Sequence, residues 1–101
     1  MIKINMGCGW RDFGRDWIHI DAGKYKHLDY YSITDLDGIE DDSVDLIYAS
    51  HVVEYFDRGE IVELLNTWRG ALKPNGIIIL HASMPFTYEL LKYETPKYNY
   101  T

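Results

Sequence analysis

The first residues of the chain alternate between apolar and polar side chains, from Ile2 to Met6. This period of two predicts a β-strand, and the strand is followed at once by Gly7, Cys8 and Gly9. In an open α/β sheet, a strand that ends in glycines presents backbone N–H groups to a ligand at its carboxyl edge. An ordinary strand followed by a glycine turn explains these residues equally well, so the choice depends on the rest of the chain.

The stretch Trp17–Asp21 predicts a second short strand, which ends at the acid Asp21. The connection between the two strands is short for a parallel crossover, which usually contains a helix. We therefore expect one helical turn or an irregular loop there. The aromatic side chains available to fix that loop are those of Trp10, Phe13 and Trp17.

Three later segments are predicted as strands. Leu28–Tyr31 has a weak strand pattern, whereas Val44–Ser50 and Ile77–Ala82 are nearly continuous apolar runs. Such runs are typical of parallel strands that are covered on both faces. Strands that alternate with helical segments indicate an α/β domain with a mostly parallel sheet.

A helix is predicted between the last two of these strands. Asp57 and Glu60 have the spacing of a capping box at its start, and Lys73–Gly76 provides a cation, a proline and a glycine to end it. Apolar residues at helical spacing predict one buried stripe, formed by Ile61, Leu64, Leu65, Trp68, Ala71 and Leu72. A second amphipathic segment, Phe86–Glu94, is also compatible with a helix.

The composition narrows the class of protein. A chain of 101 residues predicts a single domain, residues 1–101. Ten basic against sixteen acidic residues give a net charge of −6, which argues against nucleic acid and anionic membranes as partners. The single cysteine, Cys8, excludes an internal disulfide and fits a cytoplasmic protein. His19, His27 and His81 share no metal-ligand spacing, so we interpret them as structural and predict no metal site.

Chemically useful residues follow the ends of the predicted strands. Asp21, close to the glycine turn, is placed to accept hydrogen bonds from the two hydroxyls of a ribose, although a loop acid or a helix cap remains an alternative. Ser50 and His51 follow the apolar strand. A dinucleotide fingerprint is not matched, because Asp12 occupies the position of its third glycine and Asp21 comes too early. A P-loop also requires Gly-Lys-Ser/Thr, which is absent after the glycines.

Four segments in order, NMGCGW, WIHIDAG, DDSVDLIYASHVVEYF and LKPNGIIIL, resemble the motifs of class I S-adenosylmethionine-dependent methyltransferases. The sequence is most similar to the small methyltransferase type 11 group, from about Lys3 to Pro85. The resemblance implies an α/β, Rossmann-like three-layer sandwich with a mostly parallel sheet of about five strands. It also implies S-adenosylmethionine as cofactor and S-adenosylhomocysteine as product.

The resemblance assigns roles to residues on the first two strand ends. Gly7, Cys8 and Gly9 would line the methionine portion of the cofactor through their backbone. Asp21 would bind the ribose hydroxyls, with Ala22 beside it. The roles of Gly7, Cys8, Gly9 and Ala22 are implied by the resemblance alone, whereas the role of Asp21 in ribose binding is also suggested by its position after the second strand.

Later positions take the remaining roles. Ser32 matches the position after the third strand where the family often has an acid near the adenine amino group. Ser50 and His51 match the end of the fourth strand, near the sulfonium and its methyl. His51 is our candidate catalytic residue, because histidine is the usual general base near neutral pH, although a histidine that only packs or caps the next turn remains an alternative.

The end of the chain departs from the family pattern, which continues past the fifth strand into further C-terminal strands. Without them, the strand Ile77–Leu80 would lie at a sheet edge, and such edges are normally covered. We therefore expect a homodimer through this edge, or a chain that is the N-terminal part of a longer protein. Two functions stay open: methyl transfer to a small-molecule acceptor, or a non-catalytic methyltransferase-like binding or dimerisation module.

Overall fold

The structure, a computed structural model, describes residues 1–82 and 98–100. A five-stranded parallel sheet forms its centre, with the strand order β2-β1-β3-β4-β5. The strands are β1 (Lys3–Met6), β2 (Trp17–Ile20), β3 (Val44–Ser50), β4 (Leu72–His81) and β5 (Tyr98–Tyr100). A 3₁₀ helix (Val53–Tyr55) and the helix α1 (Arg58–Ala71) connect β3 to β4. The fold is α/β and Rossmann-like, as the sequence predicts.

Helix α1 covers one face of the sheet. Its capping box is formed as predicted, since the Asp57 side chain accepts from the Glu60 N–H at 2.9 Å and the Glu60 side chain accepts from the Asp57 N–H at 3.0 Å. The apolar stripe is buried, and it packs in one cluster with alternate residues of the strands. The shared cluster comprises Ile4, Met6, Ile20, Val44, Ile47, Ala49, Val52, Val53, Ile61, Leu64, Leu65, Trp68, Ala71, Leu72, Ile78 and Leu80. Among the described residues no helix is long and apolar enough to cross a membrane.

The opposite face of the sheet is covered in part by the loop between β1 and β2. This loop contains no helix, and Phe13 packs edge-on against Trp17 with ring centroids 5.1 Å apart. Two buried polar side chains of the sheet form hydrogen bonds with the backbone of this loop. Asn5 Nδ2 donates to the Arg11 carbonyl at 3.3 Å, and His19 Nε2 accepts from the Phe13 N–H at 2.9 Å. The layer on this face is therefore an irregular loop fixed by side chains of β1 and β2.

The prediction of a third strand at Leu28–Tyr31 is wrong. Within Leu28–Tyr31 only one isolated bridge forms, between Tyr30 and Ile20. The segment that follows instead packs its apolar side chains against the cluster beneath α1, and Trp68 Nε1 donates to the Ile33 carbonyl at 2.8 Å. Burial of this segment comes from packing against α1, so it does not require a continuous strand.

Strand β4 begins earlier than predicted. The helix ends at Ala71, and the next residue, Leu72, is already extended and pairs with Val44. The following register places Ile77 opposite Leu46, so the predicted turn residues Lys73–Gly76 form an irregularity within β4.

Strand β5 lies beside β4. Ile78, Ile79 and Leu80 pair in parallel with Tyr98–Tyr100. The edge on which we expected a homodimer is therefore not open along these residues, and the homodimer itself stays a prediction. The predicted helix Phe86–Glu94 lies outside the described residues.

Asp57→Ala is expected to lower the free energy of unfolding by about 1 kcal/mol, because it removes the acceptor of the helix N-cap. Asp57→Ser, which retains a capping oxygen, should lose less than half as much. Chemical denaturation of the two variants and the parent chain measures the difference. Equal losses in both variants would contradict a capping role for this side chain.

Candidate functional site

Three neighbouring strands bring the predicted site residues to one edge of the sheet. β2, β1 and β3 are adjacent and parallel, so their carboxyl ends meet there. Gly7–Gly9 follows β1, Asp21 follows β2, and Ser50 and His51 end and follow β3. The fold therefore brings these residues to one edge of the sheet, where the sequence analysis expects them.

The two glycines of the first turn have different surroundings. Both adopt positive φ, +62° at Gly7 and +57° at Gly9, a region that disfavours residues with a Cβ. A Cβ on Gly7 would lie 2.5 Å from Val52 Cγ2, whereas a Cβ on Gly9 would meet nothing within 4 Å. Gly7 is thus required by packing of the protein itself, and Gly9 borders open space.

Asp21 joins the glycine turn to the end of β2. One carboxylate oxygen, Oδ1, accepts from the Gly9 N–H at 3.2 Å, and the other, Oδ2, accepts from the Gly23 N–H at 2.8 Å. The side chain is only partly buried. Each carboxylate oxygen can accept more than one hydrogen bond, so Asp21 retains acceptor capacity for hydroxyl groups while it fixes both turns.

Cys8 has a structural role in this turn. Its side chain is fully buried, its N–H donates to the Ile20 carbonyl at 3.1 Å, and its Sγ lies 3.5 Å from His27 Nε2. Burial, and then the negative charge of Asp21, raises the pKa of the thiol to about 11. The thiol therefore stays protonated at neutral pH and is a poor nucleophile.

Arg11 is a site residue that the sequence prediction missed. Its guanidinium donates to the Cys8 carbonyl at 3.4 Å and to the Ser50 carbonyl at 3.5 Å, so it bridges the ends of β1 and β3. The contact with Ser50 spans 39 positions of the chain, and nothing in the local pattern indicates it. The bridge places a positive charge between the glycine turn and the end of the central strand.

Ser50 and His51 differ in burial. Ser50 is 6% exposed, and its hydroxyl has no described hydrogen-bond partner among residues 1–82. His51 adopts a positive φ of +55°, and its side chain is 62% exposed. Its N–H donates to the His81 carbonyl at 2.7 Å, and its Nδ1 lies 3.0 Å from Glu54 Oε1.

The last two predicted residues lie in the loops after β2. Ala22 is exposed and lies between Asp21 and the Gly23 N–H that Asp21 binds. The Ser32 hydroxyl accepts from the Asp35 N–H at 3.2 Å and lies 3.2 Å from Thr34 Oγ1. Ser32 thus stabilises a local turn, and its described contacts do not include the other predicted site residues.

An open cavity of about 340 Å³ is bounded by the β1–β2 loop, by β2 and by residues 27 and 29. Its lining residues are Asp12, Gly14, Arg15, Trp17, His19, His27 and Asp29. None of these belongs to the predicted cofactor set. Within the described part of the chain, no group of three or more His, Cys, Asp or Glu side chains is arranged to hold a metal ion.

The chain matches a protein-family model. A family described as "Methyltransferase domain" matches residues 14–80, more than half of the chain. The matched range contains Asp21, Ser50 and His51 but begins after the glycine turn. Searches of curated proteins and of solved structures found no match.

Proposed function

Because the chain belongs to the methyltransferase domain family, we propose that its carboxyl edge binds S-adenosylmethionine and that the domain transfers the methyl group to a small-molecule acceptor. When bound, this cofactor supplies an electrophilic methyl group on a sulfonium. Most of the acceleration of such a displacement can come from alignment of the acceptor with the methyl group. The residues of this chain would therefore act mainly by positioning.

The bonds between Asp21 and the glycine turn carry the proposal. A single carboxylate binds the N–H groups of Gly9 and Gly23, and it borders the open space at Gly9. A ligand with two vicinal hydroxyls fits there, since its hydroxyls can donate to the free lone pairs of Asp21 while its chain passes over a residue that lacks a Cβ. We assign the ribose to Asp21 and the methionine portion to the backbone of Gly7–Gly9.

Arg11 and Ser50 fit the amino-acid end of the cofactor. An α-carboxylate near the glycine turn would be stabilised by the Arg11 guanidinium, whose described hydrogen bonds to two carbonyls are both long. The buried Ser50 hydroxyl lacks a partner among the described residues, and a buried polar group normally has one. A polar ligand group at this position would satisfy it.

Fewer residues are assigned to the adenine and to the methyl acceptor than to the ribose and the methionine portion. Ala22, next to Asp21, is exposed and adds apolar surface, and Ser32 would need to turn from its local bonds to reach the adenine amino group. His51, at the end of the central strand, is the group that would take a proton from the acceptor. The identity of the acceptor does not follow from these residues.

Calorimetric titration with S-adenosylmethionine and S-adenosylhomocysteine tests the proposal. Both ligands should bind saturably, and ATP and NAD should not, since the chain has neither a P-loop nor a dinucleotide fingerprint. An absence of heat with both sulfur ligands at millimolar concentration would contradict the proposed function.

A non-catalytic binding module is the second candidate, and the occupied hydroxyl of Ser32 favours it. Such a module would bind S-adenosylhomocysteine as well as the enzyme does but would release no product from S-adenosylmethionine with any acceptor. Binding and turnover, measured on the same preparation, separate these two functions.

A further inference from the structure

His51 occupies a backbone conformation that histidine rarely adopts. Its φ of +55° lies in the left-handed region, which costs a residue with a Cβ on the order of 1 kcal/mol. The conformation is stabilised by the 2.7 Å bond from its N–H to the His81 carbonyl at the end of β4. The backbone of His51 is thereby fixed at the carboxyl edge of the central strands, and its side chain is 62% exposed.

Glu54 is placed to orient this imidazole. Its two carboxylate oxygens lie 3.0 and 3.3 Å from the same ring nitrogen, Nδ1 of His51. The Glu54 side chain is only 26% exposed. It projects from the 3₁₀ helix, which is fixed by the buried Val52 and Val53 and by a hydrogen bond from the Tyr55 N–H to the Val52 carbonyl at 3.2 Å. The carboxylate is therefore held on a packed support.

The contact with Glu54 selects one tautomer of His51. A carboxylate can only accept, so Nδ1 carries the proton and Nε2 of the neutral ring has a free lone pair. Among residues 1–82, Nε2 has no described hydrogen-bond partner. The other titratable ring nearby is that of His81, whose centroid is 6.2 Å from that of His51. Nε2 is thus available to accept a proton from a bound molecule.

We propose that Glu54 is a positioning residue that holds His51 with Nε2 unprotonated, and that the acceptor is a hydroxyl or an amine that loses a proton on methylation. This inference rests on the proposed function. In the step, the acceptor oxygen or nitrogen forms a bond to the methyl carbon, the electron pair of the broken carbon–sulfur bond stays on sulfur, and the acceptor proton moves to His51 Nε2. A thiolate acceptor would not need this base.

Nuclear magnetic resonance of the imidazole nitrogens tests the arrangement without cofactor or acceptor. In the parent chain the neutral His51 ring should be the Nδ1–H tautomer, assigned by loss of the signal in His51→Asn. Glu54→Ala should convert a large fraction of the ring to the Nε2–H tautomer, whereas Glu54→Gln, which keeps an acceptor oxygen, should retain most of the Nδ1–H form. Glu63→Gln, on the exposed side of α1, is the matched control and should leave the signals unchanged.

The outcomes separate this inference from the proposed function. An Nε2–H tautomer in the parent chain, or no change in Glu54→Ala, would overturn the role of Glu54 whether or not the cofactor binds. If the tautomer is as stated but S-adenosylhomocysteine does not bind, the proposed function fails and the catalytic role of the pair fails with it. The proposal is supported if the rate of methyl transfer to a hydroxyl or amine falls about 100-fold in Glu54→Ala while the affinity for S-adenosylhomocysteine changes less than twofold. Transfer that is confined to thiols overturns it.

Discussion

Asp21→Ala is expected to weaken S-adenosylhomocysteine binding by tenfold to more than a hundredfold. Hydrogen bonds from the ribose hydroxyls to a charged group contribute about 1.5–3 kcal/mol. The substitution also leaves the N–H groups of Gly9 and Gly23 without the acceptor that now fixes them. Calorimetric titration of the variant measures the affinity, and chemical denaturation measures the accompanying loss of stability.

Two further variants separate the ribose contact from the general effect of losing a carboxylate. Asp21→Asn keeps one acceptor oxygen, so it should bind with an affinity between those of the parent chain and Asp21→Ala. Asp16→Ala removes an exposed aspartate that lies outside the site, and its affinity should equal that of the parent. An Asp21→Ala variant that is folded and binds as tightly as the parent would show that the ribose lies elsewhere.

Alanine at the two glycines of the first turn should have different main effects, on stability at Gly7 and on ligand affinity at Gly9. Gly7→Ala combines the strain of positive φ with a Cβ 2.5 Å from Val52 Cγ2, so the free energy of unfolding should fall by about 2–4 kcal/mol. Gly9→Ala has the strain alone and should lose about 1–2 kcal/mol. Its Cβ enters the open space beside Asp21, so S-adenosylhomocysteine affinity should fall more than tenfold.

Gly70→Ala is the control for these substitutions. Gly70 lies within α1 with no atom near its added Cβ, and alanine there should raise the free energy of unfolding by about 0.5–1 kcal/mol without a change in affinity. Denaturation and titration of all three variants give the comparison. A Gly9→Ala variant that keeps its affinity, or a Gly7→Ala variant as stable as Gly9→Ala, would contradict the different surroundings of the two glycines.

The sequence predicts those elements whose pattern depends on local periodicity. Strand β1 and helix α1 were predicted correctly because the alternating apolar residues of the strand pack in one cluster with the apolar stripe of the helix. The interpretation of Leu28–Tyr31 as a strand was wrong: Tyr30 forms only an isolated bridge, and the apolar residues of a loop can pack against the cluster beneath α1 as well as in a sheet. Periodicity alone does not distinguish these two kinds of burial.

The candidate site was predictable only in part, because local patterns indicate some of its residues and not the contacts between distant ones. Strand ends and glycines indicated Asp21 and the first turn, because parallel strands bring their carboxyl ends together. The bridge from Arg11 to the Ser50 carbonyl and the lack of a described partner for the Ser50 hydroxyl depend on the register between β1 and β3. Such contacts between distant residues follow from tertiary packing and have no local signal.

We propose that the carboxyl ends of β1, β2 and β3 together form the S-adenosylmethionine site. A titration of the isotopically labelled chain with S-adenosylhomocysteine, monitored through the backbone amide resonances by nuclear magnetic resonance, tests this site. We predict saturable changes that are largest at Gly9, Asp21, Gly23 and His51. Changes that are centred on the cavity between Asp12 and Asp29, or no saturable change at all, would contradict it.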